Sequence, residues 1–99
     1  MRIEATDVKA VIDRPEPTPE NVLSVIEDLK EQLKGIGASL GTLPAVCVVL
    51  GMEPTKSSTR IVRRWYSTGK DFKQIPEITW RYLLIINHFG LRRIYEIRQ

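Results

Sequence analysis

The chain has 99 residues, which is room for one domain and one modest core. A hydrophobic fraction of 42% and a charged fraction of 27% are ordinary for a globular protein, and no apolar run reaches the roughly 18–20 residues of a membrane span. The net charge of +3 is unevenly placed: residues 1–34 hold eight acids against five bases, whereas residues 54–81 hold Lys56, Arg60, Arg63, Arg64, Lys70, Lys73 and Arg81 against only Asp71 and Glu77. Such a local basic excess is the footprint of a polyanion binder.

The N-terminus carries acids early and has no apolar signal core, so a cytoplasmic protein is expected. Residues 1–14 read equally as a short strand or a short helix. Pro15, Pro17 and Pro19 alternate, which favours an extended linker, so residues 1–17 are expected to form an arm ahead of the domain. Thr18-Pro19-Glu20-Asn21 then starts a helix, with Thr18 as its N-cap and Pro19 at the first helical position. Val22, Val25, Ile26, Leu29 and Leu33 recur at helical spacing, opposite Glu27, Asp28, Lys30, Glu31, Gln32 and Lys34. Gly35 and Gly37 are expected to end this first helix.

Residues 38–41 form a short connection with room for one weak helical turn. Thr42 and Pro44 repeat the cap-then-proline signal, and Ala45–Leu50 follows as a compact apolar second helix closed by Gly51. Cys47 lies inside that run. With no second cysteine it reads as a small buried hydrophobe in a reducing compartment. His88 is also alone and reads as structural or surface. The stretch Gly51-Met52-Glu53-Pro54-Thr55-Lys56-Ser57 echoes a phosphate-binding loop. It lacks the second glycine before the lysine, is one residue short, and follows no strand, so nucleotide binding is rejected.

A third helix is expected at about 57–67, started by its serines and stopped by Gly69. At about 100° per residue, Val62, Trp65 and Tyr66 share one side, Arg60 and Arg64 lie almost opposite, and Arg63 sits on the flank. One face can pack while the other presents cations and hydroxyls, as a helix entering a DNA major groove requires. A solvated basic helix on any small domain would look similar. A basic loop follows, then Pro76 opens a fourth helix to about residue 88 or 89. Its apolar coverage (Ile78, Trp80, Tyr82, Leu83, Leu84, Ile85, Ile86, Phe89) is wider than one buried face needs. Besides filling the core, the excess is expected to meet a second copy of the chain through Trp80, Leu84 and Phe89. After Gly90, residues 91–99 form a tail that reads as a terminal strand or a last helical turn.

The order of helix, glycine turn, apolar helix, polar turn, Arg-rich helix ending in Trp, and Ile-Pro before a last helix resembles the lambda-repressor-like (Cro-type) helix-turn-helix proteins. The small phage and mobile-element members are most alike, with an Arg-x-Val-Arg-Arg-Trp recognition helix. The matching residues are Leu50-Gly51, Arg60-Ile61-Val62-Arg63-Arg64-Trp65, Gly69 and Ile75-Pro76, within residues 40–86. The turn before Arg60 and the loop after Trp65 are longer than in the family form, and residues 1–19 have no counterpart. The resemblance implies a mostly α domain of four to five helices over 18–90. It implies Ser57, Ser58, Thr59 and Arg60 at base edges, and Arg63 and Arg64 on a base or a phosphate. It also implies phosphate contacts from Thr42, through its hydroxyl or the helix end, and from Lys56, Lys70 and Lys73. Each lysine reads as readily as a solvated charge.

The family function is sequence-specific transcriptional regulation, by default repression of the protein's own operon, as a homodimer on a palindromic site in double-stranded DNA. That function needs no metal, cofactor or small-molecule substrate. Two other classes stay open: a phage protein that binds and inhibits a host factor through the fourth helix, and a DNA-packaging or recombination accessory. An enzyme is not expected, since no nucleophile–base pair, paired-carboxylate site or metal-ligand spacing is present.

Overall fold

The hub of the fold is an 18-residue helix, α1 (Pro19–Ile36), on which the other elements rest. The computed structural model describes residues 4–6, 9, 13 and 16–95. Thr18 caps α1 as its sequence requires, its Oγ1 accepting from the Asn21 N–H at 3.2 Å. The stripe Val22, Val25, Ile26, Leu29 and Leu33 is buried. On the wet side Gln32 Nε2 donates to Asp28 Oδ2 at 2.7 Å and Lys30 lies 3.4 Å from Glu27. Gly35 does not stop α1; it lies inside the last turn, and the chain leaves the helix at Gly37, whose N–H still donates to the Leu33 carbonyl. Glycine weakens a helix but ends it only where the backbone turns away.

A 3₁₀ turn (Ala38–Leu40) leads to α2 (Leu43–Val49), with Thr42 as N-cap, and then to α3 (Lys56–Trp65). The exit from α2 is a Schellman turn: the Gly51 N–H donates to the Val48 carbonyl at 3.0 Å and the Met52 N–H to the Cys47 carbonyl at 2.8 Å. Gly51 holds the left-handed φ of +79° that this turn demands. The α2–α3 pair packs together and onto α1 through Leu43, Val46, Cys47, Val62 and Trp65, all buried. Burial pushes the Cys47 thiol up in pKa, leaving it a protonated, inert core group.

α4 (Glu77–Phe89) lies along α1 and buries Trp80, Leu83, Leu84 and Ile86. This corrects the expected dimer contacts. Trp80 and Leu84 are each 3% exposed, consumed by the core of a single chain, while Phe89 is half-buried. The wide apolar coverage of this helix is used twice within the chain, against α1 and against α5 (Leu91–Tyr95). Only Ile78, 84% exposed, is left wholly outside.

The tail is helical over residues 91–95, not a strand, and belongs to the domain. Leu91 is 2% exposed, its N–H donates to Gln32 Oε1 at 2.6 Å, and Arg92 Nη2 donates to the Gly35 carbonyl at 2.6 Å. A cation on the carbonyl end of α1 is where the helix dipole favours one. Gly90 makes the turn between α4 and α5 at φ +91°, ψ 136°, with open space where a Cβ would stand. Gly90→Ala is therefore expected to cost backbone strain alone, about 1–3 kcal/mol, read as a lowered thermal midpoint with no change in helix content below it.

Within residues 1–17, the described residues 5–6 and 9 are helical, and residues 16–18 run irregularly into α1. Most of the strand-or-helix question at 1–14, and the tail at 96–99, lie outside the described residues. Among the described residues there is no strand, and no helix is long and apolar enough to cross a membrane.

Candidate nucleic-acid interface

The basic face is built on α3, and its start differs from the sequence expectation. The N-cap is Thr55, one residue before the helix: its Oγ1 accepts from the Ser58 N–H and its hydroxyl donates to Ser58 Oγ, both at 3.2 Å. Ser58 is thus half-buried and engaged with the cap. The Thr55 carbonyl accepts from the Thr59 N–H, so the amides of Lys56 and Ser57 remain as the outward donors of the first turn. That turn carries no acid, and both side chains are exposed.

Thr59 is a correction. It is 6% exposed, and its hydroxyl donates to the Lys56 carbonyl at 3.0 Å. It faces the core with Val62 and Trp65 and cannot reach a base edge. The packed face is therefore 59, 62 and 65, as helical spacing requires. The opposite stripe is Ser57, Arg60 and Arg64, with Ile61 and Arg63 on its two flanks. Arg60 and Arg63 are exposed and Arg64 is half-buried. Among the described residues none of the three forms an ion pair. Burial pushes the Tyr66 phenol up in pKa, and a hydrogen bond and the charge of Arg63 offset part of that rise.

The helix ends at Tyr66, not at Gly69, because the following loop folds back onto it. The Arg64 carbonyl accepts from the Lys73 N–H at 3.1 Å and the Ser67 N–H at 3.4 Å, which satisfies an end that would otherwise be open. Gln74 Nε2 reaches the Pro17 carbonyl at 3.4 Å and ties the loop to the entry of α1. The Lys73 backbone thereby lies against the end of α3, and the Lys70 and Lys73 side chains are exposed. Arg60, Arg63, Arg64, Ser67 and Asp71 line one open concavity. Asp71 is the single acid there. The other acid of this stretch, Glu77, is paired with Arg81 at 2.8 Å.

Thr42 stands apart from this face in role. Its Oγ1 accepts from the Ala45 N–H at 3.4 Å, its carbonyl takes the Val46 N–H, and Pro44 has no N–H to offer. The start of α2 therefore presents little beyond the Leu43 amide and the hydroxyl proton of Thr42.

Ile61 is an exposed apolar residue of α3. It is 46% exposed on the flank of α3, between Arg64 and the packed Trp65. Comparison with protein-family models, with curated proteins and with solved structures finds no match to this chain.

Proposed function

We propose that this chain is a sequence-specific double-stranded DNA-binding regulator whose recognition helix is α3. One observation carries the proposal. The apolar side of α3 is locked in the core by Val62 and Trp65, while Arg60 and Arg64 project from the opposite side with Arg63 on the flank, all three without ion-pair partners among the described residues. A rigid helix with an outward guanidinium row has the shape and charge to enter a major groove, with Arg forks matching guanine O6 and N7 or phosphate oxygens. Lys56 and the free amides of the first turn would take a backbone phosphate, and Lys70 and Lys73 would take others.

The α2–turn–α3 unit would then act as a helix-turn-helix, with α1 and α4 as its scaffold. A single unit reads only a few base pairs, so we include pairing into a homodimer that sets two α3 helices in successive major grooves about 34–36 Å apart. Autorepression in a bacterial or phage setting is the regulatory form proposed, without cofactor or catalysis.

The test is a fluorescence-polarisation titration of the full chain against DNA from just upstream of its own gene, beside scrambled DNA, at about physiological salt. Nanomolar binding to the upstream duplex alone supports an autoregulator. Equal binding to both duplexes would replace it with an architectural role. Binding to neither would leave a protein partner as the better account.

The lysines give a separate prediction. Lys70→Ala and Lys73→Ala should each lower the slope of log K against log salt by about 1. Because such contacts read no base, specific and non-specific duplexes should lose affinity alike.

A further inference from the structure

We propose that Asp71 is a specificity-determining residue: its carboxylate keeps backbone phosphate out of the concavity beside α3, which leaves the arginines there for base edges. The inference rests on the DNA-binding reading of α3. At about 100° per residue, Arg60, Arg63 and Arg64 share one third of the helix surface, and Ser67 follows just past the helix end. These four and Asp71 line one open concavity. Three guanidiniums and a hydroxyl around one hollow are by themselves a phosphate cage, and a duplex of any sequence could fill it.

Asp71 is fixed at that hollow by backbone bonds on both sides. The Phe72 N–H donates to the Gly69 carbonyl at 3.2 Å, closing a turn with Asp71 at its third position. The next amide, that of Lys73, donates to the Arg64 carbonyl and fastens the turn to the end of α3. Asp71 is exposed and, among the described residues, forms no ion pair with the three arginines. Its charge is therefore not neutralised within the chain. A phosphate entering the concavity meets it as a like charge. A base edge does not: guanine O6 and N7 are uncharged acceptors for the arginines, and cytosine N4 is a donor that a carboxylate accepts. The acid thus costs non-specific binding more than it costs the specific complex.

The test uses the full chain, a duplex selected by it from a random-sequence pool, and a scrambled duplex of the same length. Affinities are measured against salt for the parent, for Asp71→Asn and for Glu31→Gln. Asparagine keeps the shape of aspartate and suits a turn, so the thermal midpoint should hold. Glu31→Gln removes an equal charge from an exposed position on α1. It lies about 16 Å along that helix from Glu20, which borders the loop, or about two Debye lengths at physiological salt.

Asp71→Asn should bind the scrambled duplex about threefold more tightly, the effect of lifting one like charge about 6 Å from a phosphate. Its slope of log K against log salt on that duplex should steepen by about 0.9, for one further phosphate taken. Affinity for the selected duplex should rise less, so the ratio between the two duplexes narrows. Glu31→Gln should keep the parent's ratio and slopes. An equal gain on both duplexes, an unchanged slope on scrambled DNA, the same result from Glu31→Gln, or a loss on the selected duplex alone would overturn the assignment while DNA recognition by α3 stands. If no duplex is enriched over the pool, the DNA reading itself falls, and the role of Asp71 falls with it.

Discussion

Replacing Arg60 and Arg64 together by alanine is expected to weaken binding to the preferred duplex by about 100-fold or more. Each bidentate arginine–guanine pair is worth about 1–3 kcal/mol of discrimination, and the two sit on one stripe of one rigid helix. The fold should survive. Arg60 is exposed, Arg64 is half-buried, and neither is ion-paired among the described residues. Surface changes of this kind stay within about 0.5 kcal/mol, a few degrees in thermal midpoint for a domain of this size.

The lysine versions sharpen the result. Arg60→Lys with Arg64→Lys keeps both charges but removes the planar fork. It should retain affinity for scrambled DNA and its salt dependence, while losing the preference for the selected site. Binding by the alanine double variant within about threefold of the parent would mean that the outward stripe of α3 is not the reading head.

The sequence carried the packing more clearly than it carried the surface. The α1 stripe, the Thr18 and Thr42 caps, the Gly51 turn and the pairing of Val62 with Trp65 are local signals, and each follows from helix period or cap chemistry. What was not legible depends on contacts distant in sequence. The end of α3 is set by a loop amide nine residues further on, Lys73 to the Arg64 carbonyl, and not by the nearest glycine. The tail is helical because Gln32 and the Gly35 carbonyl, both on α1, bind Leu91 and Arg92.

Thr59 is a subtler case. With Ser57 and Ser58 it reads as one run of hydroxyls, but helical rotation sends the three to different sides. Its own hydroxyl is satisfied by the Lys56 carbonyl, which lets a polar residue sit at 6% exposure. Counting residue types within a helix therefore overstates its binding face, and assigning each residue its angle first corrects the count.

The same caution applies to α4, and it yields the largest stability effect. Trp80→Ala is expected to destabilise the chain by about 3–5 kcal/mol, the usual cost of removing a buried tryptophan. Trp80 is 3% exposed in one chain and shares the core with Leu83, Leu84 and Ile86 and with residues of α1. Against a typical total of about 5–15 kcal/mol, that loss leaves a marginal domain. The thermal midpoint should fall by more than about 10 °C, at about 4–8 °C per kcal/mol for a domain of this size.

Protein concentration separates burial from a role between chains. If Trp80 acts within one chain, the drop is the same across a hundredfold range of concentration. If it sealed a dimer, the loss would appear as weaker self-association, and parent and variant would converge at high dilution. Ile78→Ser is the matching control. At 84% exposure it should leave the midpoint of the isolated chain unmoved, and any change it causes in sedimentation would mark the surface on which two copies meet.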